Sequence, residues 1–197
     1  MTLDDEFDDV LAAARAGGEW AWRRLYDDLA PLLLGYLRGK GAEDPEGLVG
    51  EVFLRVARSL ETFEGDESGF RSWVFTIAHH RLIDERRKRS RWRTTPIEDA
   101  SQTEELPVVE SESQAVDSLT TDEIRTLLDE VLTEDQRDVL LLRLVGGLTI
   151  PEVAEIVGRT ENATKALQRR GLRSLERHLE RNPDHPYPFG PSERSQE

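Results

Sequence analysis

Residues 148 to 181 read LTIPEVAEIVGRTENATKALQRRGLRSLERHLER. Thr149 and Glu152 have the capping-box spacing that begins an α-helix. Gly158 then suits the left-handed position at which such a helix ends. Thr160 can cap a second, longer helix that follows directly. Two helices joined by so short a turn predict a helix-turn-helix.

The second of these helices carries side chains suited to reading DNA. Its first residues are short, charged or amide-bearing, which favours contacts to base edges in a major groove; they are Glu161, Asn162, Thr164, Lys165 and Gln168. Arginines that can lie near phosphates follow them, namely Arg169, Arg170 and Arg173. The alternative is an ordinary surface helix whose charges only solvate it, since helix hairpins are common and the motif is loose.

Charge divides the rest of the chain into blocks. Residues 98 to 123 hold acidic residues and no basic ones, and the stretch shows no helical period. Such a composition is typical of a flexible linker. The ending NPDHPYPFGPSERSQE indicates a second disordered segment. We therefore predict a first unit at 5–93, an acidic linker at 94–118, a second unit at 119–181 and a tail at 182–197.

Both units are predicted to be helical. In the first unit, apolar residues recur at the three-and-four spacing of one helix face, as in Leu48, Val49, Val52, Phe53, Val56 and Leu60, and again in Phe70, Trp73, Val74, Ile77 and Leu82. No run of strict alternation competes with them. A further capping box at Thr133 and Gln136 begins a helix of the second unit. The fold class is therefore all-α, with two small helical domains.

A basic stretch closes the first unit. Residues 79 to 93 read HHRLIDERRKRSRWR, although the whole chain has 40 acidic residues against 26 basic ones. Cations can hold a nucleic-acid backbone while neighbouring rings, such as that of Trp73, stack on bases. The alternative is that these arginines cover a small core, or favour the end of a helix through its dipole.

With two potential DNA-binding surfaces in this order, the chain resembles the extracytoplasmic-function (ECF) sigma factors of the bacterial sigma-70 family. The resemblance covers about residues 5 to 181. It rests on three segments in the family's order, DPEGLVGEVFLRV, FEGDESGFRSWVFTIAHHRLIDERRKR and LTEDQRDVLLLRLVGGLTIPEVAEIVGRTENATKALQRRGLRSL. It implies a promoter-specificity subunit of RNA polymerase.

The resemblance implies three binding surfaces. The polymerase surface, which would dock on the clamp helices of the beta-prime subunit, consists of Asp44, Glu46, Leu48, Val49, Glu51, Val52 and Arg55. The minus-ten surface, which would take a flipped base and the opened strand, consists of Phe63, Asp66, Glu67, Ser68, Phe70, Arg71, Trp73, His80, Arg81, Arg86 and Arg87. The minus-thirty-five surface, which would read duplex DNA, consists of Arg159, Thr160, Glu161, Asn162, Thr164, Lys165, Gln168, Arg169, Arg170 and Arg173.

The implied partners are core RNA polymerase, through its clamp helices and beta flap, promoter DNA and an anti-sigma factor. The free protein is expected to be a monomer. The chain departs from the family at Gly47 and Gly50, where an acidic residue and a glutamine are frequent, and at His79-His80, where Arg-Asn is usual. Two glycines weaken a helix by about 1 kcal/mol each relative to alanine. We hypothesise that protonation of these two histidines near neutral pH modulates the affinity of the protein for DNA.

Composition excludes several other classes of protein. There is no cysteine, so neither disulfides nor cysteine-ligated metal sites can form. The acidic start MTLDDEFDD is unlike a signal peptide, and no apolar run could span a bilayer. We therefore expect a cytoplasmic protein with no membrane insertion, cofactor, metal site or catalytic residue.

Two other functions are compatible with parts of the sequence. A stand-alone helix-turn-helix regulator would use only the second unit, with the first as a sensor or dimerisation domain, and would bind palindromic sites as a dimer. An enzyme acting on nucleic acid would need acidic and histidine groups converging in one pocket, and the sequence gives no sign of such a set.

Overall fold

A computed structural model describes residues 6–94 and 123–182, and the side chains as far as residue 89 and from residue 123. Within these ranges the chain forms helices and no strand, which confirms the all-α prediction. The helices are α1 (Phe7–Arg15), α2 (Glu19–Gly39), α3 (Pro45–Ser59), α4 (Glu67–Thr94), α5 (123–131), α6 (Glu134–Leu144), α7 (Ile150–Ile156) and α8 (Glu161–Arg181), with a 3₁₀ turn at Leu60–Thr62 before α4.

The capping residues expected from the sequence begin and end the helices of the second unit. Gln136 N donates to Thr133 Oγ1 at 3.4 Å, and Thr133 N donates back to Gln136 Oε1 at 3.2 Å. Thr160 Oγ1 accepts from Ala163 N at the start of α8. Between α7 and α8, Gly158 has φ +63°, a conformation in which a side chain would be strained. The predicted helix-turn-helix is therefore confirmed.

The first unit is a bundle of α1 to α4. The predicted apolar faces of α3 and α4 meet each other and α2, and the buried side chains include Leu25, Leu33, Val52, Val74 and Leu82. In the second unit α8 crosses α6, where Gly171 lies against Leu140. A Cβ at position 171 would come within 2.8 Å of a Leu140 methyl carbon, so any larger residue would force the Leu140 side chain to shift.

The two units share one continuous apolar core, which the sequence alone did not reveal. Phe75 of α4 and Leu142 of α6 are both fully buried and belong to the same cluster. The approach depends on glycines of α2, because a Cβ at Gly39 would meet two methyl carbons of Leu141 at 3.0 Å. In the described chain the units are thus packed together rather than separate.

The predicted linker at 94–118 falls outside the described residues except for residue 94, and the predicted tail except for residue 182. Among the described helices, none is both long enough and apolar enough to cross a membrane.

Candidate nucleic-acid interface

The start of α8 presents most of the predicted minus-thirty-five surface to solvent. Glu161, Asn162 and Lys165 are exposed, and Lys165 Nζ pairs with Glu161 at 3.3 Å. Thr164 differs from the expectation, because it is fully buried and donates its hydroxyl to Thr160 O at 3.1 Å. Its Cβ faces the packed side of the helix, so it supports α8 from within rather than offering a group to a base edge.

The arginines of this surface lie further along α8. Arg169, Arg170 and Arg173 are exposed, and the last two line a groove together with Gln136. Arg159 Nη2 lies 2.9 Å from Asp135 Oδ2, which holds it beside α6. Exposed guanidinium groups around the exposed start of a helix are the arrangement that binds DNA phosphates on either side of a major groove.

The aromatic members of the minus-ten surface form part of the core. Phe63 and Phe70 are only 8% and 2% exposed. The half-buried ring of Trp73 stacks on that of Phe63, with centroids 5.2 Å apart and planes 29° from parallel. These packed rings support the loop that precedes α4. In this conformation Phe63 and Phe70 therefore have no face available for a base.

The polar loop between Phe63 and α4 remains at the surface. Asp66 and Ser68 are exposed, and Glu67 is half-buried. Asp66 Oδ1 accepts from Gly69 N at 2.8 Å, so this carboxylate also caps the start of α4. Gly65, with φ +149°, supplies the turn before it.

The cations of the minus-ten surface are engaged with carboxylates. Arg71 Nη2 lies 3.1 Å from Glu67 and 3.9 Å from Asp28, whose pKa is raised by burial despite that arginine. Arg81 Nε lies 3.7 Å from Glu51. Arg86 forms an ion pair with Glu134 of the second unit and donates to the Lys40 carbonyl. His80 and Arg87 are exposed.

The histidine pair is divided between two environments. His79 is buried and its Nδ1 shares a hydrogen bond of 2.8 Å with the Tyr36 hydroxyl, whereas His80 points to solvent. Burial lowers the pKa of His79, and the carboxylate of Asp138, 3.9 Å away, opposes this only in part. His79 is therefore placed in the contact between the units and not on a DNA-facing surface.

A buried ion pair lies beside His79. Lys40 is 2% exposed and its Nζ is 2.6 Å from Asp138 Oδ1, a close ion pair whose angle is poor for a hydrogen bond. Burial lowers the pKa of Lys40, against the opposing effect of Asp138. Neither residue drew attention in the sequence, where a lysine at a helix end is normally solvated.

The polymerase surface of α3 is only partly exposed. Leu48, Val49 and Val52 are buried in the core, as the helical stripe requires, so their side chains support the helix from within. The exposed predicted members are Asp44, Glu46, Glu51 and Arg55. Leu54, which is 60% exposed, lies among them and was missed, although its position off the apolar stripe was a signal.

The structure explains one of the two unusual glycines of α3. A Cβ at Gly47 would lie 2.0 Å from Asp44 Oδ2, because the Asp44 carboxylate folds over the helix start to accept from Gly47 N at 2.8 Å. A side chain at position 47 would therefore force the Asp44 carboxylate out of its present position. At Gly50 a Cβ would meet nothing within 4 Å, and nothing in the structure explains the choice of glycine there.

Among the described residues, no three His, Cys, Asp or Glu side chains converge as metal ligands would.

Comparison with known proteins gives matches for each unit. A family model described as sigma-70 region 2 matches residues 25–92, and one described as sigma-70, region 4 matches residues 121–175. The chain is 34% identical to the ECF RNA polymerase sigma factor BldN of Streptomyces coelicolor over 87% of this chain and 65% of that protein. It is also 34% identical to the ECF sigma factor SigX of Bacillus subtilis, over 82% of this chain and 85% of that one.

A solved protein structure has a similar fold. The structure of CnrH in complex with the cytosolic domain of CnrY matches with a TM-score of 0.65 and 20% identity, over 90% of this chain and 99% of that one. At this level of identity the likeness concerns the fold alone.

Proposed function

The chain belongs to the sigma-70 family and to its ECF sigma factors, and from this we propose that it binds core RNA polymerase and directs promoter-specific initiation of transcription. The observation that carries the proposal is the presence of regions 2 and 4 in one chain, in that order. A stand-alone regulator would use only the second region and is not favoured by the match over the first. Sigma factors are initiation factors and not enzymes.

The second unit is suited to reading the minus-thirty-five element as duplex. The exposed amide of Asn162 and the exposed Lys165 lie where the first turns of α8 would enter a major groove. Arg169, Arg170 and Arg173 would then neutralise phosphates. Phosphate contacts set the position of the helix on DNA, while base contacts select the sequence.

The first unit is suited to capturing the opened minus-ten element. Exposed Asp66 and Ser68 offer hydrogen-bond acceptors for a flipped base, at a loop that the Phe63–Trp73 stack holds in shape. Extruding a base costs a few kcal/mol, so a preformed loop and nearby cations must offset that cost. Arg86 and Arg87 on α4 supply the positive charge.

The exposed side of α3 is the proposed docking face for the polymerase clamp helices. Glu46, Glu51 and Arg55 surround the exposed Leu54, an apolar contact within a charged rim. We also propose binding of the beta flap to the second unit, regulation by an anti-sigma factor and a cytoplasmic location, as the family implies.

Run-off transcription on a promoter library tests the function. Core polymerase should initiate selectively only when this protein is added, and Asn162→Ala should weaken or shift the recovered minus-thirty-five motif. Glu180→Ala, at the exposed far end of α8, is the matched control and should leave the motif unchanged. Binding of palindromic DNA by a dimer, without initiation, would replace the proposal with the stand-alone regulator.

A further inference from the structure

The loop that carries Asp66 and Ser68 is held on one side by an arginine of α1. Arg15, the last residue of this helix, donates from Nε to the carbonyl of Leu60 at 3.3 Å and from Nη2 to that of Phe63. Leu60 begins the 3₁₀ turn, and Phe63 directly follows it. One guanidinium group therefore binds the main chain at both ends of that turn, immediately before the loop.

The two carbonyls belong to a turn that ends where the chain becomes extended. Phe63 has φ −72° and ψ 132°, and its N–H donates to Leu60 O at 3.3 Å. The last carbonyls of a helical turn have no partner within the turn, and Arg15 supplies one to Phe63 O. A planar guanidinium with separate Nε and Nη donors suits two carbonyls at once, whereas a lysine has a single donor nitrogen on a flexible stem.

The end of α1 that carries Arg15 is itself fixed. Gly17 has φ +81° and its N–H donates to Ala14 O at 3.0 Å, as in the left-handed end of a Schellman motif. Trp22 of α2 donates from Nε1 to the same carbonyl, also at 3.0 Å. Arg15 therefore lies at a corner of the main chain that is hydrogen-bonded within α1 and to α2.

The other end of the loop also contacts α1. Phe7, in the first turn of α1, is 3% exposed, and its ring centroid lies 5.6 Å from that of Phe70 in the first turn of α4. Phe70 N donates to Asp66 O at 2.9 Å, so this contact is joined to the loop by a hydrogen bond. Helix α1 thus supports the loop from the turn before it and from the helix after it.

The family match does not account for this support, because the region 2 model begins at residue 25, after α1. A simpler explanation of Arg15 is that a cation in the last turn of a helix is favoured by the helix dipole. The dipole requires only positive charge. It does not require that both donors reach carbonyls 45 and 48 residues further along the chain.

We propose that Arg15 is a positioning residue for the minus-ten surface, which fixes the turn at Leu60–Thr62 and thereby sets the place of Asp66 and Ser68 for a flipped base. A loop that is already ordered loses less conformational freedom when it captures that base. The proposal rests on the proposed function for the identity of the base, whereas the hold of Arg15 on the loop can be tested in the free protein.

Amide hydrogen exchange of the free full-length protein tests the hold on the loop. Arg15→Ala should speed exchange about fivefold or more over residues 61–70, because local opening becomes easier when two hydrogen bonds are lost, while residues 137–142 of α6 keep their rate. Arg23→Ala, which removes an exposed arginine of α2, is the matched control and should leave both segments unchanged. Unchanged exchange over residues 61–70 in Arg15→Ala, or an equal increase in α6, would overturn the proposal.

A lysine variant separates charge from the paired hydrogen bonds. Arg15→Lys keeps the positive charge at the end of α1 but replaces two donor nitrogens by one. It should therefore restore less than half of the protection that Arg15→Ala loses over residues 61–70. If Arg15→Lys exchanged like the natural protein, charge alone would explain Arg15 and the proposal would be wrong.

Promoter selection by the polymerase then tests the consequence for base capture. With core polymerase and a promoter library randomised at both elements, Arg15→Ala should lower the preference at the minus-ten element about three- to tenfold and leave the minus-thirty-five preference unchanged. A mere loss of folded protein would lower initiation from all promoters alike, without changing either preference.

Two further outcomes of the selection are distinguishable. An unchanged minus-ten preference in Arg15→Ala, despite faster exchange in the loop, would overturn the positioning role. Absence of initiation by the natural protein, with the exchange results as expected, would refute the proposed function while supporting the hold of Arg15 on the loop.

Discussion

The two proposed DNA-binding surfaces of this chain are built from similar residues but differ in what surrounds them. On α8 the arginines at positions 169, 170 and 173 are exposed, whereas on α4 Arg71, Arg81 and Arg86 each lie beside a carboxylate. One of those carboxylates, Glu134, comes from the other unit. The difference teaches that residue type alone does not make a surface available, because the packing of the two units decides which surface is free.

The largest effect should come from removing the core residue that the units share. Phe75→Ala should lower the free energy of unfolding by about 3–5 kcal/mol, through lost burial and a residual cavity. Urea denaturation of the full chain measures this change. Phe53→Ala is the comparison, because the half-buried ring of Phe53 lies beside Tyr26 in the first unit, and it should cost clearly less. Similar losses for both would mean that the full burial of Phe75 adds little to stability.

The buried ion pair gives the next largest effect. Asp138→Asn removes the nearer counterion of the buried Lys40 ammonium and leaves only Glu134, 3.7 Å away, which should cost up to about 3 kcal/mol. The units should separate, and small-angle scattering of the free protein would record a larger radius of gyration.

A double variant separates charge from packing at the same place. Lys40→Met with Asp138→Leu removes both charges and should restore most of the lost stability, since apolar replacement of a buried pair is often neutral or favourable. If the double variant were as unstable as Asp138→Asn, the loss would come from shape and not from an unpaired charge.

The exposed surface should respond more modestly. Asn162→Ala should weaken binding to duplex minus-thirty-five DNA by about 1–3 kcal/mol, the range for one good base contact. Arg173→Ala should instead weaken binding to all sequences alike and reduce the salt dependence of the affinity. Fluorescence polarisation at several salt concentrations distinguishes the two. A sequence-independent loss for Asn162→Ala would remove it from base reading.

The smallest effect should be that of pH on the interface. His79 is buried against Tyr36 and faces Asp138, Lys40, Arg86 and His80, and burial lowers its pKa below the ordinary 6.5. A lowered pKa means that the unfolded chain binds the proton more readily, so the packing of the two units should weaken as pH falls through and below 6.5. Urea denaturation between pH 7.5 and 5.5 measures this as a falling free energy of unfolding. His79→Gln should reduce the slope.

The sequence predicted the helices well because their signals are local. The capping residues Thr133 and Thr160 and the left-handed Gly158 each act within one turn of chain, and all three were found in the expected roles. The apolar stripe predicted for α3 correctly contained Leu48 and Val52, which are buried. The same two residues had also been assigned to the polymerase surface, where a buried side chain cannot make contact. Periodicity identifies the apolar side of a helix without saying which neighbour covers it.

The contact between the units could not be predicted in the same way. Lys40 and Asp138 are 98 residues apart by their numbers and form a pair only because α2 and α6 pack together. Thr164 likewise has the composition of a base-reading residue, yet its position on the inner side of α8 buries it. Pairings of this kind depend on tertiary packing, which no local pattern records.

The shared core also has a consequence for biosynthesis. Phe75 is translated well before Leu142, its companion in the same apolar cluster. At roughly 5–20 residues per second, the ribosome needs several seconds to make the intervening chain. During that time the nascent first unit exposes an apolar face that the second unit will later cover. We expect this face to be a preferred binding site for nascent-chain chaperones, and a truncated first unit to be markedly less soluble than the full-length protein.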